Sequence, residues 1–200
     1  MKKVNELEHP IHIWQGLQSI FNSLIEYAAA ASAWDDLQKK RNDKITFVKL
    51  ENKFLITTVI SLKIQLITEL SKYFDKEKTC GKANCSLIKF KDALQSDSRY
   101  SSNSQTAEYI QKIDELCERF EKVVSVDVRN KILAHNDLEQ LFLNNVPTVN
   151  FTEVYKLVKE TKNLIENVCS VLIGGKLKMI DFEKIEKQYK ESLCELLDGV

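Results

Sequence analysis

Turn residues are scarce in this chain, with 5 Gly and 2 Pro in 200 residues. β-Sandwiches, barrels and Rossmann-type folds all consume such residues, so the shortage argues against them. It also excludes collagen-like and proline-rich classes. No excess of either charge exists, because 29 basic residues meet 29 acidic ones. A strongly cationic coat for long nucleic acid is therefore absent, although a local positive cleft is compatible with the balance. Arginine occurs only at Arg41, Arg99, Arg119 and Arg129, and histidine only at His9, His12 and His135. Lysine supplies the general solvated surface, so each arginine carries more information than each lysine.

The five cysteines, Cys80, Cys85, Cys117, Cys169 and Cys194, are odd in number and scattered. The opening MKKVNELEHP lacks the apolar stretch of a signal peptide. Cytoplasmic residence with reduced thiols is the resulting expectation. The longest apolar stretches are interrupted by Lys63 and by polar residues, so no membrane span is expected. A chain of this length buries about 70% of the surface its unfolded form exposes, enough to fold without disulfides or metal. The reading is one domain over residues 1–200, with no metal and no cofactor, and with the last helix (about 180–198) as a C-terminal extension.

What is present is helical periodicity. Ile13, Leu17, Ile20, Leu24, Ala28 and Ala31 step by three or four and mark one buried stripe on a helix from about Ile11 to Lys39. A second helix, about Ile45 to Phe74, has two adjacent apolar stripes, which predicts a central helix packed on two sides. Asp75 to Asn84 reads as a loop, Ser86 to Leu94 as a short helix and Gln95 to Gln105 as a mobile loop. The third long helix covers about Thr106 to Val124. The β-branched run VVSVDV (Val123 to Val128) is a poor helix centre and predicts a break, with Ser125 or Asp127 capping a new helix. Asn150 and Glu153 form a capping-box pattern, and that helix is expected to end at Gly174–Gly175. A final helix spans about Phe182 to Leu197. The fold class is all-α, an antiparallel bundle of about five to six helices.

The chemistry is concentrated in RNKILAHND, Arg129 to Asp137. On a helix starting near Asp127, Arg129 and Asn130 fall in the first turn, where free backbone N–H groups and the dipole favour an anion. A guanidinium there suits a phosphate, being always charged and offering paired donors. Further along the same segment, His135 supplies an imidazole that exchanges a proton near neutral pH. Asp137 and Glu139 are close enough in sequence to orient it, and Lys131 adds charge beside it. Such a set suits phosphodiester cleavage.

At this segment the chain resembles the HEPN superfamily, whose signature is an Arg, an adjacent polar residue, four to six intervening residues and a His. Here these are Arg129, Asn130 and His135, with five residues between the first and last. The run LITELSKYFDK (Leu66 to Lys76) and the segment CSLIKF (Cys85 to Phe90) make the likeness specific to the abortive-infection AbiU-type branch. The likeness covers roughly Leu55 to Val171. It implies a helical bundle that dimerises through the motif and a metal-independent ribonuclease active on RNA in phage defence or a toxin–antitoxin system, with an antitoxin or regulatory protein as partner. Arg129, Asn130 and His135 would be its catalytic residues, with Lys131, Asp137 and Glu139 in support. Members controlled by adenylylation carry a Tyr two residues after the His, where this chain has Asp137. That departure puts such control in doubt. A second reading of the same cleft is a non-catalytic module holding nucleotides, RNA or a partner protein, and the balanced charge favours it.

Plainer roles stand beside these. His135 has the alternative of a helix-end imidazole bonded to backbone. Arg129 has that of a surface ion-pair partner to Asp127 or Glu139, and Asn130 that of an ordinary first-turn residue. His9 and His12 read as exposed bystanders near a terminus. Cys80 and Cys85 read as loop thiols, since zinc would need two further ligands. Lys82, Lys89 and Lys91 read as a solvated face, with RNA guidance as the alternative.

Overall fold

The computed structural model describes residues 9–39, 53–75, 78–79, 82–83, 85–129, 149–168, 170, 174 and 179–198. They hold α1 (Pro10–Lys39), α2 (Lys53–Tyr73), a hairpin of β1 (Lys78–Thr79) and β2 (Lys82–Ala83), α3 (Leu87–Ser96), α4 (Ser98–Ser101), α5 (Ser104–Val123), α6 (Phe151–Val168) and α7 (Phe182–Asp198). A further helical turn covers 126–129. The architecture is the all-α bundle expected from composition. Its hairpin, Lys78 opposite Ala83 and Thr79 opposite Lys82, is too short to alter that class.

Three segments differ from the sequence reading, the first being Asp75–Asn84, expected as a loop, whose strands Lys78–Thr79 and Lys82–Ala83 pair as a hairpin. Gln95–Gln105 is mostly helical rather than a loop. Asp97 accepts from the Arg99 N–H at 3.0 Å and caps α4, and Asn103 accepts from the Gln105 N–H at 2.9 Å and caps α5. Side chains that compete with the helix in its interior start it at its end, and composition does not distinguish the two. The capping box at α6 also does not close. Asn150 O accepts from the Glu153 and Val154 N–H groups, but the Glu153 carboxylate is taken by Arg119 at 3.0 Å and Lys156 at 2.7 Å. α6 is described over Phe151–Val168, Ser170 is again helical, and Gly174, where the helix was expected to end, has φ +70°.

The surrounded helix is α1, not α2 as the two stripes suggested. It packs against α2, α3, α6 and α7. Leu17, Phe21, Leu24, Ile25, Ala28, Ala29 and Ala31 are wholly buried. Alanines at 28–31 and 33 keep the helix thin all round, so neighbouring helices approach it without voids. On α2, burial is confined to Val59, Leu66, Ile67, Leu70, Ser71 and Tyr73, and Ile56 is 36% exposed. Among the described residues α2 is nevertheless long and apolar enough to cross a membrane, despite Lys63. A helix with one side in a core has the same composition, and Leu66, Ile67 and Leu70 are at most 1% exposed.

The C-terminal part of α1 is tied to its neighbours by polar groups. Asp35 accepts from Lys63 of α2 at 2.6 Å and from the Tyr155 hydroxyl of α6 at 2.8 Å. Burial and the Asp35 charge push the Tyr155 phenol far above its ordinary value, so it stays a donor. Asp36 pairs with Lys190 of α7 at 2.6 Å, and Ser32 donates to Glu186. Phe182 is 1% exposed, which seats the start of α7 in the main core. Asp181 accepts from the Lys184 N–H at 3.0 Å as that helix begins.

At the other end of α1, Gly16 lets Cys85 approach. A Cβ on Gly16 would lie 2.6 Å from Cys85 Sγ, and that thiol donates to the Ile13 carbonyl at 3.4 Å. Gly16→Ala should therefore destabilise the fold by about 1–3 kcal/mol through overpacking. In a Cys85→Ala background the same substitution should instead stabilise by about 0.5–1 kcal/mol, since Ala is the better helix former. Urea unfolding of wild type and the three variants checks the change of sign.

Candidate functional site

The break predicted at VVSVDV is present. Helix α5 ends at Val123, and the Val124 N–H donates to Phe120 O at 2.7 Å. Ser125 then starts the turn over 126–129. Its Oγ accepts from the Val128 N–H at 3.4 Å and its carbonyl from the Arg129 N–H at 3.0 Å. Val124 and Val128 are buried while Val126 is 52% exposed, so the alternation of the valines clamps the turn to the core. The reversal folds Arg129 back along α5.

Two contacts hold Arg129. Its Nη2 donates to both carboxylate oxygens of Glu121 at 2.8 Å. The guanidinium carbon lies 5.2 Å from the centre of the Phe120 ring. Its Nε is buried and has no acceptor among the described residues. Only 17% of the side chain is exposed, against 52% for Glu121. Phe120 in turn stacks on Phe74 at 4.6 Å with 11° between planes, Phe74 meets Tyr73 edge-on at 6.0 Å, and Tyr73 lies 4.9 Å from Phe21. An aromatic line therefore runs from α1 past the end of α2 to α5 and stops under the guanidinium. Among the described residues the ion-pair partner is Glu121, and Asp127 is exposed. Glu121 was missed because the helix break separates it from Arg129, so no same-helix spacing rule links them. One local signal was available. A carboxylate in the last turn of a helix opposes the dipole, which implies a cation nearby.

Of the sequence-derived site residues, the structure places Arg129. Asn130, Lys131, His135, Asp137 and Glu139 lie outside the described residues. The other described arginines are also paired. Arg119 joins Glu153 and Glu160 across α5 and α6, and Arg99 joins Asp97, whose carboxyl it holds down at about 2. Lys91 is paired with Asp114 at 2.6 Å. His9 is not the exposed imidazole that was expected. It is half-buried, its Nδ1 accepts from the Ile11 N–H at 3.2 Å, and its Nε2 meets Arg99. With Lys89, Asp92, Asp97 and Arg99 it lines an open polar depression of about 760 Å³ that does not reach Arg129. Burial pushes the Cys117 thiol up to about 11 and the Cys85 thiol upward, so neither offers a thiolate at neutral pH. No cluster of metal-ligating side chains occurs among the described residues.

The Arg129 contacts are individually modest. A partly exposed ion pair contributes up to about 1 kcal/mol, and a cation–π contact about 0.5–1 kcal/mol. Arg129→Ala should accordingly lower stability by about 1–2 kcal/mol or less and leave the helical circular dichroism intact. Chemical denaturation of that variant checks this. A global loss of fold would mean that Arg129 is an element of the core.

The family HEPN_AbiU2, described as AbiU2, matches residues 17–193 of this chain. No curated protein and no solved structure matches it. The matched region runs from the first buried turns of α1 to α7 and includes the Arg129 turn and its aromatic support. By that match across most of its length, the chain belongs to the AbiU2 family of HEPN proteins.

Proposed function

We propose that this protein is a metal-independent endoribonuclease of the HEPN type, acting in phage defence or as a toxin component. The observation that carries the reading is an arginine fixed on an aromatic platform at a helix start, in an AbiU2-family chain, with five residues between it and His135. Cleavage without a metal uses the ribose 2′-hydroxyl as nucleophile. One group must remove its proton and another must protonate the departing 5′-oxygen. A single motif holds one histidine, so a two-fold homodimer supplies both roles from two copies of His135 across one cleft. The 2′-oxygen–phosphorus bond forms as the phosphorus–5′-oxygen bond breaks, leaving a 2′,3′-cyclic phosphate. Arg129 stabilises the added negative charge on the phosphorane, and Asn130 holds the phosphate or orients His135. Lys131, Asp137 and Glu139 stand in support. The reading places the protein in the cytoplasm, with RNA as substrate and an antitoxin or regulatory protein as partner.

A non-catalytic module that holds nucleotides, RNA or a partner protein through the same cleft is the competing reading. The balanced charge and the pairing of Arg99, Arg119 and Arg129 with carboxylates favour it.

Purified protein incubated with RNA in EDTA separates the two. The nuclease reading expects products ending in 2′,3′-cyclic phosphate. Rates should fall by about 100-fold or more for His135→Ala, as for loss of a general acid–base. RNA methylated at the 2′-oxygen should resist cleavage. Equal cleavage by wild type and His135→Ala would refute the assignment, and RNA binding without cleavage would favour the module.

A further inference from the structure

We infer that Glu121 is a built-in competitor for the RNA phosphate, which must displace its carboxylate from Arg129 on binding. The inference rests on the reading of Arg129 as the phosphate-holding residue. Both Glu121 oxygens lie 2.8 Å from the same nitrogen, Nη2. A carboxylate and a phosphate present the same chemistry to a guanidinium, namely paired anionic oxygens. With Glu121 in place, an incoming phosphodiester meets a fixed negative charge on the donor it needs, and like charges brought together oppose binding.

The surroundings show that this contact is an exchangeable one. Arg129 is the covered partner at 17% exposure, while Glu121 is 52% exposed and can turn into solvent. Among the described residues the buried Nε has no acceptor, so nothing described holds the resting pose on that side. A guanidinium that swings out forfeits no hydrogen bond to a described residue on that side and gains one from water or phosphate. Glu121 also sits in the last turn of α5, where the helix dipole disfavours an anion unless a cation is close. Phe120 supports both poses, because its ring face tolerates sliding of the guanidinium in a way that a second ion pair would not. Glu121 thereby sets the affinity of the site for a phosphodiester without touching the reacting atoms.

The test uses the full chain and a fluorescent RNA methylated at every 2′-oxygen, so that binding is read without cleavage. Glu121→Gln keeps the shape and removes the charge. Its Kd should fall by about 3- to 10-fold by relief of like-charge repulsion. Arg129→Ala should raise Kd, and the double variant should match Arg129→Ala alone, because Glu121 acts only through Arg129. If Glu121→Gln binds no more tightly while Arg129→Ala binds more weakly, the competitor role is wrong and Arg129 still reads phosphate. An unchanged Kd for Arg129→Ala overturns the underlying reading of the site. A gain from Glu121→Gln that persists without Arg129 would mark a general surface-charge effect and overturn the inference. Should Glu121→Gln lose its helical signal, Glu121→Ala in the same assay decides.

Discussion

Phe120 is the contact on which the site depends. One face of its ring lies flat on Phe74, at the end of α2, and the Arg129 guanidinium lies over the ring. Ring stacking in a close-packed interior leaves little freedom to slide, so the end of α5 is fixed relative to α2. The turn over 126–129 is fixed in the same way, by buried Val124 and Val128 on either side of Ser125. The position of a charged side chain thus derives from the packing of apolar ones. A change in the core at Phe74 or Tyr73 would reach Arg129 without any polar contact being altered.

The second constraint is α1. Its alanines and Gly16 keep it narrow, and four other helices close around it. Around its C-terminal part the packing turns polar, with Asp35, Asp36 and Ser32 each joined to a different neighbouring side chain. These pairs orient α2, α6 and α7 rather than supplying much stability, since partly exposed ion pairs contribute little. Pairing also governs the charge of the molecule. Arg99, Arg119 and Arg129 each meet a carboxylate, so these described guanidinium charges are balanced locally. Any anionic ligand at these arginines has to exchange with a carboxylate already in place.

Much of the fold was legible because helical periodicity reports burial directly. Ile13, Leu17, Leu24, Ala28 and Ala31 fell inside, and the β-branched break between α5 and the Arg129 turn was visible in VVSVDV. The central helix was misjudged because apolar stripes measure how hydrophobic a helix is, not how many neighbours it has. Alanine contributes little to such a stripe, yet it is what permits close approach on every side. The Ser- and Asn-rich stretch after α3 misled for a related reason, since the same side chains that favour loops also cap helices. Glu153 failed as a capping residue because Arg119, brought across from α5, competes for its carboxylate more effectively than an uncharged backbone N–H.

At the site, chemical type and tertiary position separate cleanly. Residue order alone determined the all-α class, the family likeness carried by Arg129, Asn130 and His135, and the helix break that places an arginine near a helix start. Those properties come from local conformational preference and spacing, which act over a few residues. Tertiary structure alone decided that α1 is enclosed, that Phe120 lies beneath the guanidinium, and that Glu121 rather than Asp127 neutralises it. These depend on how the chain turns at Ser125 and how α5 meets α2, and contacts made across a reversal have no fixed spacing in sequence.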